Sequence, residues 1–209
     1  MSRHAILTSE AHRDLRVQTG SSAELGDAVM SCFTVPSEFR SLQHNYPILF
    51  RRDDATGAFS ALALLGFESG ENLFLAGDRW DADYKPMALS IQPFLVGRSA
   101  DADGPAQIHV DLDYVRVATS DEGVLVFDAM GNPTPYLERV SEMLGDLDEG
   151  FRASAAFFAA LERHNLLEPF FLDVTLRSGA SHRMVGYHLI NEDRLRTLEA
   201  GAIAASGWQ

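Results

Sequence analysis

Short apolar runs separated by turn residues fill positions 46–98 and constrain the fold more than any other feature. The runs at 46–50 and 59–67 flank a polar segment, Asp53-Asp54-Ala55-Thr56-Gly57. Aspartate can bond its own backbone in a turn, and glycine tolerates a positive φ there. This pattern predicts a β-hairpin or meander, with a third short strand at 72–75.

The remaining chain adds further strands around this meander. Residues 28–36 are apolar and β-branched, which predicts a strand ended by Pro36. Strict alternation at 107–119 predicts another strand. Residues 170–176 and 182–190, joined by a turn at 177–181, predict a second hairpin.

Helical patterns occur mainly in the second half. Apolar residues at helical spacing predict helices at 134–143 and 146–165, with Asn165 closing the longer one. Shorter helices are predicted after Ser37, at 87–94, and after Asn191, where Ser37 and Asn191 are the expected N-caps. We therefore predict an α+β fold, with a mixed or antiparallel sheet of short strands and hairpins and a few packed helices.

The length of 209 residues fits one domain or two small ones. Residues 1–22 are polar and predict an N-terminal arm, either a short strand or a disordered segment. A soft boundary could lie near 101–104, but the chain is rich in predicted strands on both sides of it, so residues 23–209 are predicted to form a single domain.

The charge balance excludes several classes of partner. Acidic residues outnumber basic ones by 30 to 17, giving a formal net charge of −13. Such a chain repels nucleic-acid phosphate and anionic lipid. No apolar run is long enough to cross a bilayer, and the first residues lack the apolar core of a secretory signal. The sequence thus predicts a soluble, cytoplasmic protein whose acidic surface could take a basic partner.

Nucleophilic catalysis has weak support. Cys32, the sole cysteine, lies in an apolar run without a neighbouring base, so we expect a buried, unreactive thiol. The chain contains no G-x-S-x-G elbow, no phosphate-binding loop and no dinucleotide fingerprint.

A metal site is the enzymatic alternative. His109 and Asp111 lie two apart on a predicted strand and so share a face, as do two ligands of the non-haem iron facial triad. His182 or His188 could be the third ligand, which would make the protein an iron- and 2-oxoglutarate-dependent oxygenase. The same spacing also arises on the polar face of any alternating strand.

Aromatic residues beside short acids suggest a recognition surface. Trp80, Asp81, Tyr84 and Phe94 are the predicted contacts for a protein or peptide partner. The alternative is that these aromatic rings form a small core beneath a loop, with their polar tips hydrogen-bonded.

An ordered set of segments resembles the SapC-like family of bacterial proteins. The set spans most of the chain and consists of Tyr46-Pro47-Ile48-Leu49-Phe50, Thr56-Gly57, Ala63-Leu64-Leu65-Gly66-Phe67, Glu71-Asn72-Leu73-Phe74, Trp80, Tyr84, Pro86, Pro93-Phe94, and Gly186-Tyr187-His188-Leu189-Ile190-Asn191-Glu192-Asp193-Arg194-Leu195. His109 departs from the family pattern, whereas an acid near Asp111 fits it.

The resemblance implies no established reaction, cofactor or catalytic residue. The family's name comes from a protein linked to a bacterial surface layer, and members often accompany halogenase-like and cupin-type proteins. We therefore predict a non-catalytic accessory protein without a cofactor that binds a protein or peptide. The sequence leaves a homo-oligomer open.

Overall fold

The structure is a computed structural model that describes residues 2–97, 106–118, 121–176, 179 and 181–198. Within these residues the strands are β1 His4–Ile6, β2 Arg16–Val17, β3 Ser31–Thr34, β4 Ile48–Arg52, β5 Phe59–Leu64, β6 Leu75–Ala76, β7 Arg79–Trp80, β8 Phe94–Gly97, β9 Gln107–Asp111, β10 Val124–Leu125, β11 Leu167–Thr175 and β12 Ser181–Ile190. The helices are α1 Phe39–Leu42, α2 Met87–Ser90, α3 Pro135–Arg163 and α4 Glu192–Arg196, with a 3₁₀ turn at Pro36–Glu38.

Strand pairing is antiparallel throughout the described sheets. The strand orders are β11-β12-β4-β5-β3, β1-β9-β8, β10-β2 and β6-β7. Small antiparallel sheets with few helices confirm the predicted α+β class.

The chain forms two compact units. The first contains residues 1–28 and 73–148, and the second contains residues 29–72 and 149–209. The prediction of one domain over residues 23–209 remains a prediction. Residues 1–22 contain strands β1 and β2, which pair with β9 and β10 in the first unit.

In the first unit, Phe94 and Val110 pair across β8 and β9 and are buried. The ring of Tyr136, at the start of α3, lies 6.3 Å from that of Phe94. Burial raises the pKa of the Tyr136 phenol to about 12.

The second unit is built on the five-stranded sheet, which carries two apolar clusters. One comprises Leu49, Leu62, Leu64, Met184 and Tyr187. The other comprises Phe50, Ala61, Phe158, Leu161 and Leu166. Because neighbouring strand residues point to opposite faces, Leu62 and Ala61 belong to different clusters.

Both predicted hairpins form. Asp53 Oδ1 accepts hydrogen bonds from the backbone N–H groups of Ala55 and Thr56 in the β4–β5 turn, and Gly57 has φ +73°. β11 and β12 pair from Leu167↔Ile190 to Thr175↔Ser181. In the turn between them, residues 177, 178 and 180 lie outside the described part.

The two predicted helices at 134–143 and 146–165 are wrong as separate elements, because α3 runs from Pro135 to Arg163 without a break. Gly145 in a helix interior costs about 1 kcal/mol relative to alanine. That penalty is small beside the free energy gained by burying the side chains of Leu144 and Leu147, which are 3% and 4% exposed. Asn165, with φ +51°, follows the end of α3 as expected.

Other boundaries also differ from the predictions: the helix predicted at 87–94 ends at Ser90, and the strand predicted at 72–75 lies at Leu75–Ala76. Ser37 is not an N-cap, because it lies inside the 3₁₀ turn. No side-chain hydrogen bond caps either that turn or helix α1. The strand predicted over 107–119 ends at Asp111, whose Oδ1 accepts a hydrogen bond from the N–H of Asp113 and turns the chain. The Asn191 cap is confirmed, since its side chain accepts from the N–H of Arg194 at 2.8 Å.

Candidate functional site

An apolar groove of about 330 Å³ opens on the second unit, between the β4–β5 hairpin and α3. The hairpin side is lined by residues 58–61, together with Thr34 at the end of β3. The helix side is lined by Phe151, Ser154, Ala155, Phe158, Ala159 and Glu162.

The groove exists because one face of α3 alternates between large and small side chains. Its lining positions, 151, 154, 155, 158, 159 and 162, follow the i, i+3, i+4, i+7, i+8, i+11 pattern and therefore share a helix face. Phe158 packs into the sheet, with its ring 5.7 Å from Phe50 and 6.1 Å from Phe59. Ala155 and Ala159 do not reach the sheet surface as a phenylalanine would, so a trench remains between the aromatic walls.

Phe151 forms one wall and is 49% exposed. An aromatic ring of that exposure beside a concave apolar surface is typical of a recognition site. The hydroxyl of Ser154 donates to the carbonyl of Gly150 at 2.7 Å, so it is already bonded within the helix. The groove therefore offers shape and apolar surface to an occupant.

Backbone hydrogen bonds along β5 alternate between its two neighbouring strands. The N–H of Leu64 donates to Pro47 on the β4 side at 2.9 Å, and that of Leu65 donates to Met30 on the β3 side at 2.7 Å. Alternate residues of an antiparallel strand turn their N–H and C=O groups to opposite sides. Phe59 therefore turns both groups toward the β3 side.

At Phe59 the β3 side has no ladder partner. The β3–β5 register would place Pro36 opposite Phe59, but β3 ends at Thr34 and proline has no N–H. No hydrogen bond joins the Phe59 N–H or C=O to another of the described residues. One wall of the groove thus presents an unpaired donor and acceptor from the sheet.

A buried carboxylate is bonded to one residue of the groove lining. The hydroxyl of Thr34 donates to Glu38 Oε2 at 2.7 Å, and Glu38 is 2% exposed. Burial, with the nearby Glu38 charge, raises the pKa of the Cys32 thiol to about 12. The thiol is therefore protonated at neutral pH, as the sequence predicted for a buried and unreactive cysteine.

The four predicted partner contacts lie in the first unit in different environments. Asp81 is exposed and pairs with Arg79 at 2.8 Å. Trp80 and Tyr84 are half-buried, and the indole N–H of Trp80 donates to the Tyr84 carbonyl at 3.3 Å. Phe94 is 1% exposed and does not reach the surface. The Trp80–Tyr84 bond is the arrangement expected of a small core beneath a loop.

Trp80 also borders a buried ion cluster that no sequence motif predicts. Lys85 Nζ lies 5.0 Å from the Trp80 ring centroid and 2.9 Å from Asp27 Oδ1. Arg116 Nη2 lies 2.7 Å from Asp27 Oδ2, and its Nη1 donates to the carbonyls of Gln18 and Gly20. Burial lowers the pKa of Lys85, although the Asp27 carboxylate opposes this shift.

The predicted iron ligands are divided between the units. His109 and Asp111 lie on β9 of the first unit, where Asp111 accepts from the N–H groups of Arg3 and Asp113.

His182 and His188 lie on β12 of the second unit. His182 stacks on Phe67 at 5.9 Å, whereas His188 meets Phe59 edge-on at 5.1 Å. Among the described residues, no three or more His, Cys, Asp or Glu side chains are grouped so as to hold a metal ion.

The groove was not predictable from the helical spacing of apolar residues over 146–165, because that spacing does not distinguish a groove wall from a core-facing stripe. The run of small residues at 153–156 and 159–160 was the available signal. A stripe with so little side-chain volume cannot fill the space beside a sheet on its own.

None of the helices in the described residues has the length and apolar character needed to span a membrane. Comparison with curated proteins found no match, and neither did comparison with solved structures. The family model described as SapC matches residues 7–206, nearly the whole chain. The resemblance carried by the ordered segments is thereby confirmed, and the chain belongs to the SapC family.

Proposed function

We propose that this SapC-family protein binds a polypeptide segment of a partner in the groove of the second unit and catalyses no reaction there. The groove carries the proposal, since it is lined by Phe59, Phe151 and Phe158 around a floor of small residues. Peptide sites commonly combine such an apolar trench with an available sheet edge. The cytoplasmic location predicted from the sequence remains part of this proposal.

The surface chemistry of the groove supports binding rather than catalysis. The three hydroxyl groups of its lining, on Thr34, Ser60 and Ser154, are all engaged in hydrogen bonds within the protein. The nearby thiol of Cys32 stays protonated because its pKa is raised. Each apolar side chain buried in such a groove stabilises a complex by about 1.5–3 kcal/mol before ordering costs are subtracted. We expect short peptides to bind in the micromolar-to-millimolar range.

Filling the groove tests the proposal. A random peptide library would be selected against the wild-type chain alone, and the enriched peptides would then be titrated against Ala155→Trp, which places an indole in the trench. Ala156→Trp is the matched control, because Ala156 is exposed on the same helix but does not line the groove. Thermal unfolding of both variants would verify that they remain folded.

We expect the selected peptides to bind the wild type and Ala156→Trp equally and to bind Ala155→Trp at least tenfold more weakly. Failure to enrich any peptide, or equal affinity for both tryptophan variants, would count against the groove as the binding site. The predicted contacts Trp80, Asp81 and Tyr84 remain a second candidate surface. Titrating the same peptides against Asp81→Ala measures whether that surface contributes.

A further inference from the structure

Three fixed features of the groove restrict what it can hold: its length, the open backbone position at Phe59, and the charge of Glu162. We propose that the groove takes an extended segment that pairs as a strand with Phe59 and carries a basic side chain at the Glu162 end. This inference rests on the function proposed above and specifies its ligand.

The length of the groove sets the length of the segment. The lining positions of α3 run from Phe151 to Glu162, which is about 16 Å along a helix axis. An extended chain covers about 3.3 Å per residue, so about five residues fit. A helical segment of five residues would cover about 8 Å and would leave its own backbone groups unsatisfied.

The Phe59 backbone favours the extended form. Its N–H and C=O point to the side where β3 has ended, and no other described residue bonds them. A strand laid beside Phe59 would satisfy both groups through one hydrogen-bonded pair. Alternate side chains of that strand would then face the helix, where Ala155 and Ala159 leave room for residues of the size of valine.

Charge sets the direction and composition of the segment. Glu162 is the charged member of the lining and is exposed. Arg52, a cation of the hairpin, is already engaged: its guanidinium lies 5.8 Å from the Phe59 ring centroid and its Nε donates to the Gly57 carbonyl at 3.1 Å. The whole chain has a net charge of −13, which adds a general attraction for a basic segment.

Defined synthetic peptides test this inference. Two fluorescein-labelled hexapeptides would contain five residues of alternating valine and alanine, with lysine at the amino end in one and at the carboxyl end in the other. Two matched peptides would carry glutamate in place of lysine. Fluorescence anisotropy would be measured with the wild type, Glu162→Lys and Glu149→Lys, since Glu149 is exposed on α3 but does not line the groove.

We expect one lysine peptide to bind about two- to fivefold more tightly than its glutamate counterpart, the range of an exposed ion pair. Glu162→Lys should reverse that preference, and Glu149→Lys should leave it unchanged. Methylating the backbone nitrogen that pairs with Phe59 should weaken binding about two- to tenfold, as loss of one hydrogen bond does.

Two other outcomes distinguish this inference from the proposed function. If the peptides bind and Ala155→Trp blocks them, but charge and N-methylation have no effect, the strand-pairing, basic segment is wrong and the groove still binds polypeptide. If none of the four peptides shows saturable binding up to millimolar concentration, the proposed function fails and the inference fails with it.

Discussion

The buried ion cluster of the first unit gives the sharpest prediction on stability. The side chain of Asp27 is 2% exposed and neutralises two cations, Arg116 at 2.7 Å and Lys85 at 2.9 Å. It also accepts a hydrogen bond from the N–H of Ser22 at 3.2 Å. Asp27→Ala would leave the Arg116 guanidinium, itself 4% exposed, without its counter-charge. Removal of one member of a buried pair costs about 3–5 kcal/mol.

Most of that cost should come from Arg116. Lys85 is 20% exposed, and its ammonium lies near Ser21 Oγ and the Trp80 ring, which remain in place after the substitution. A loss of this size is a large part of the 5–15 kcal/mol that stabilises a typical domain. We therefore expect the free energy of unfolding of Asp27→Ala, measured by guanidinium titration with circular dichroism, to fall by about 3–5 kcal/mol.

A matched exposed pair controls for the charge itself. Arg79 and Asp81 approach to 2.8 Å, between the two distances of the buried cluster, but their side chains are 69% and 56% exposed. Asp81→Ala should change stability by less than about 1 kcal/mol. The double variant Asp27→Ala, Arg116→Met should recover much of the single loss, because no unpaired buried charge remains. Two results would refute this reasoning. One is an equal loss of unfolding free energy in Asp27→Ala and Asp81→Ala. The other is a double variant whose loss equals the sum of large losses from Asp27→Ala and Arg116→Met.

Two further predictions concern the second unit and α3. A Cβ at Gly150 would lie 2.6 Å from Cγ2 and 2.7 Å from Cβ of the fully buried Val35, so Gly150→Ala should lower the free energy of unfolding in a urea titration by about 1–3 kcal/mol. A Cβ at Gly145 would meet no neighbouring group within 4 Å, so Gly145→Ala should raise the free energy of unfolding by up to about 1 kcal/mol. A similar gain at both glycines would contradict the Val35 contact. Burial raises the pKa of the Cys32 thiol to about 12, so above pH 9 the thiol ionises in the unfolded chain while it stays protonated in the folded one. The stability that the protonated thiol contributes is therefore present below pH 9 and is lost toward pH 12. Cys32→Ala should lose less stability than the wild type over that interval, and parallel pH curves would argue against a buried thiol.

Local sequence chemistry made the hairpins predictable. The β4–β5 turn depends on Asp53 and Gly57, which lie within a few residues of the hydrogen bonds they make. The Asn191 cap is equally local, since its acceptor serves the N–H of Arg194. Such signals act before any tertiary contact forms and can be read directly from the residues.

Features that depend on distant residues were not predictable in this way. Gly145 and Asp146 look like a helix break, yet the burial of Leu144 and Leu147 keeps α3 continuous. The Asp27–Arg116 pair joins a loop near the amino terminus to a turn after β9. Neither residue lies in a sequence motif that predicts its partner, so the burial of both is visible only in the folded unit.

The groove arises from two local sequence features, a proline that ends a strand and small residues on a helix face, neither of which predicts a binding site alone. Pro36 ends β3 and leaves no N–H opposite Phe59, which opens one position of the sheet edge. Small residues at Ala155 and Ala159 of α3 keep the space beside that position empty. Either feature alone is ordinary, since prolines end many strands and alanines are frequent in helices. Their coincidence on facing elements leaves an unpaired backbone edge next to apolar volume, and a bound strand satisfies both.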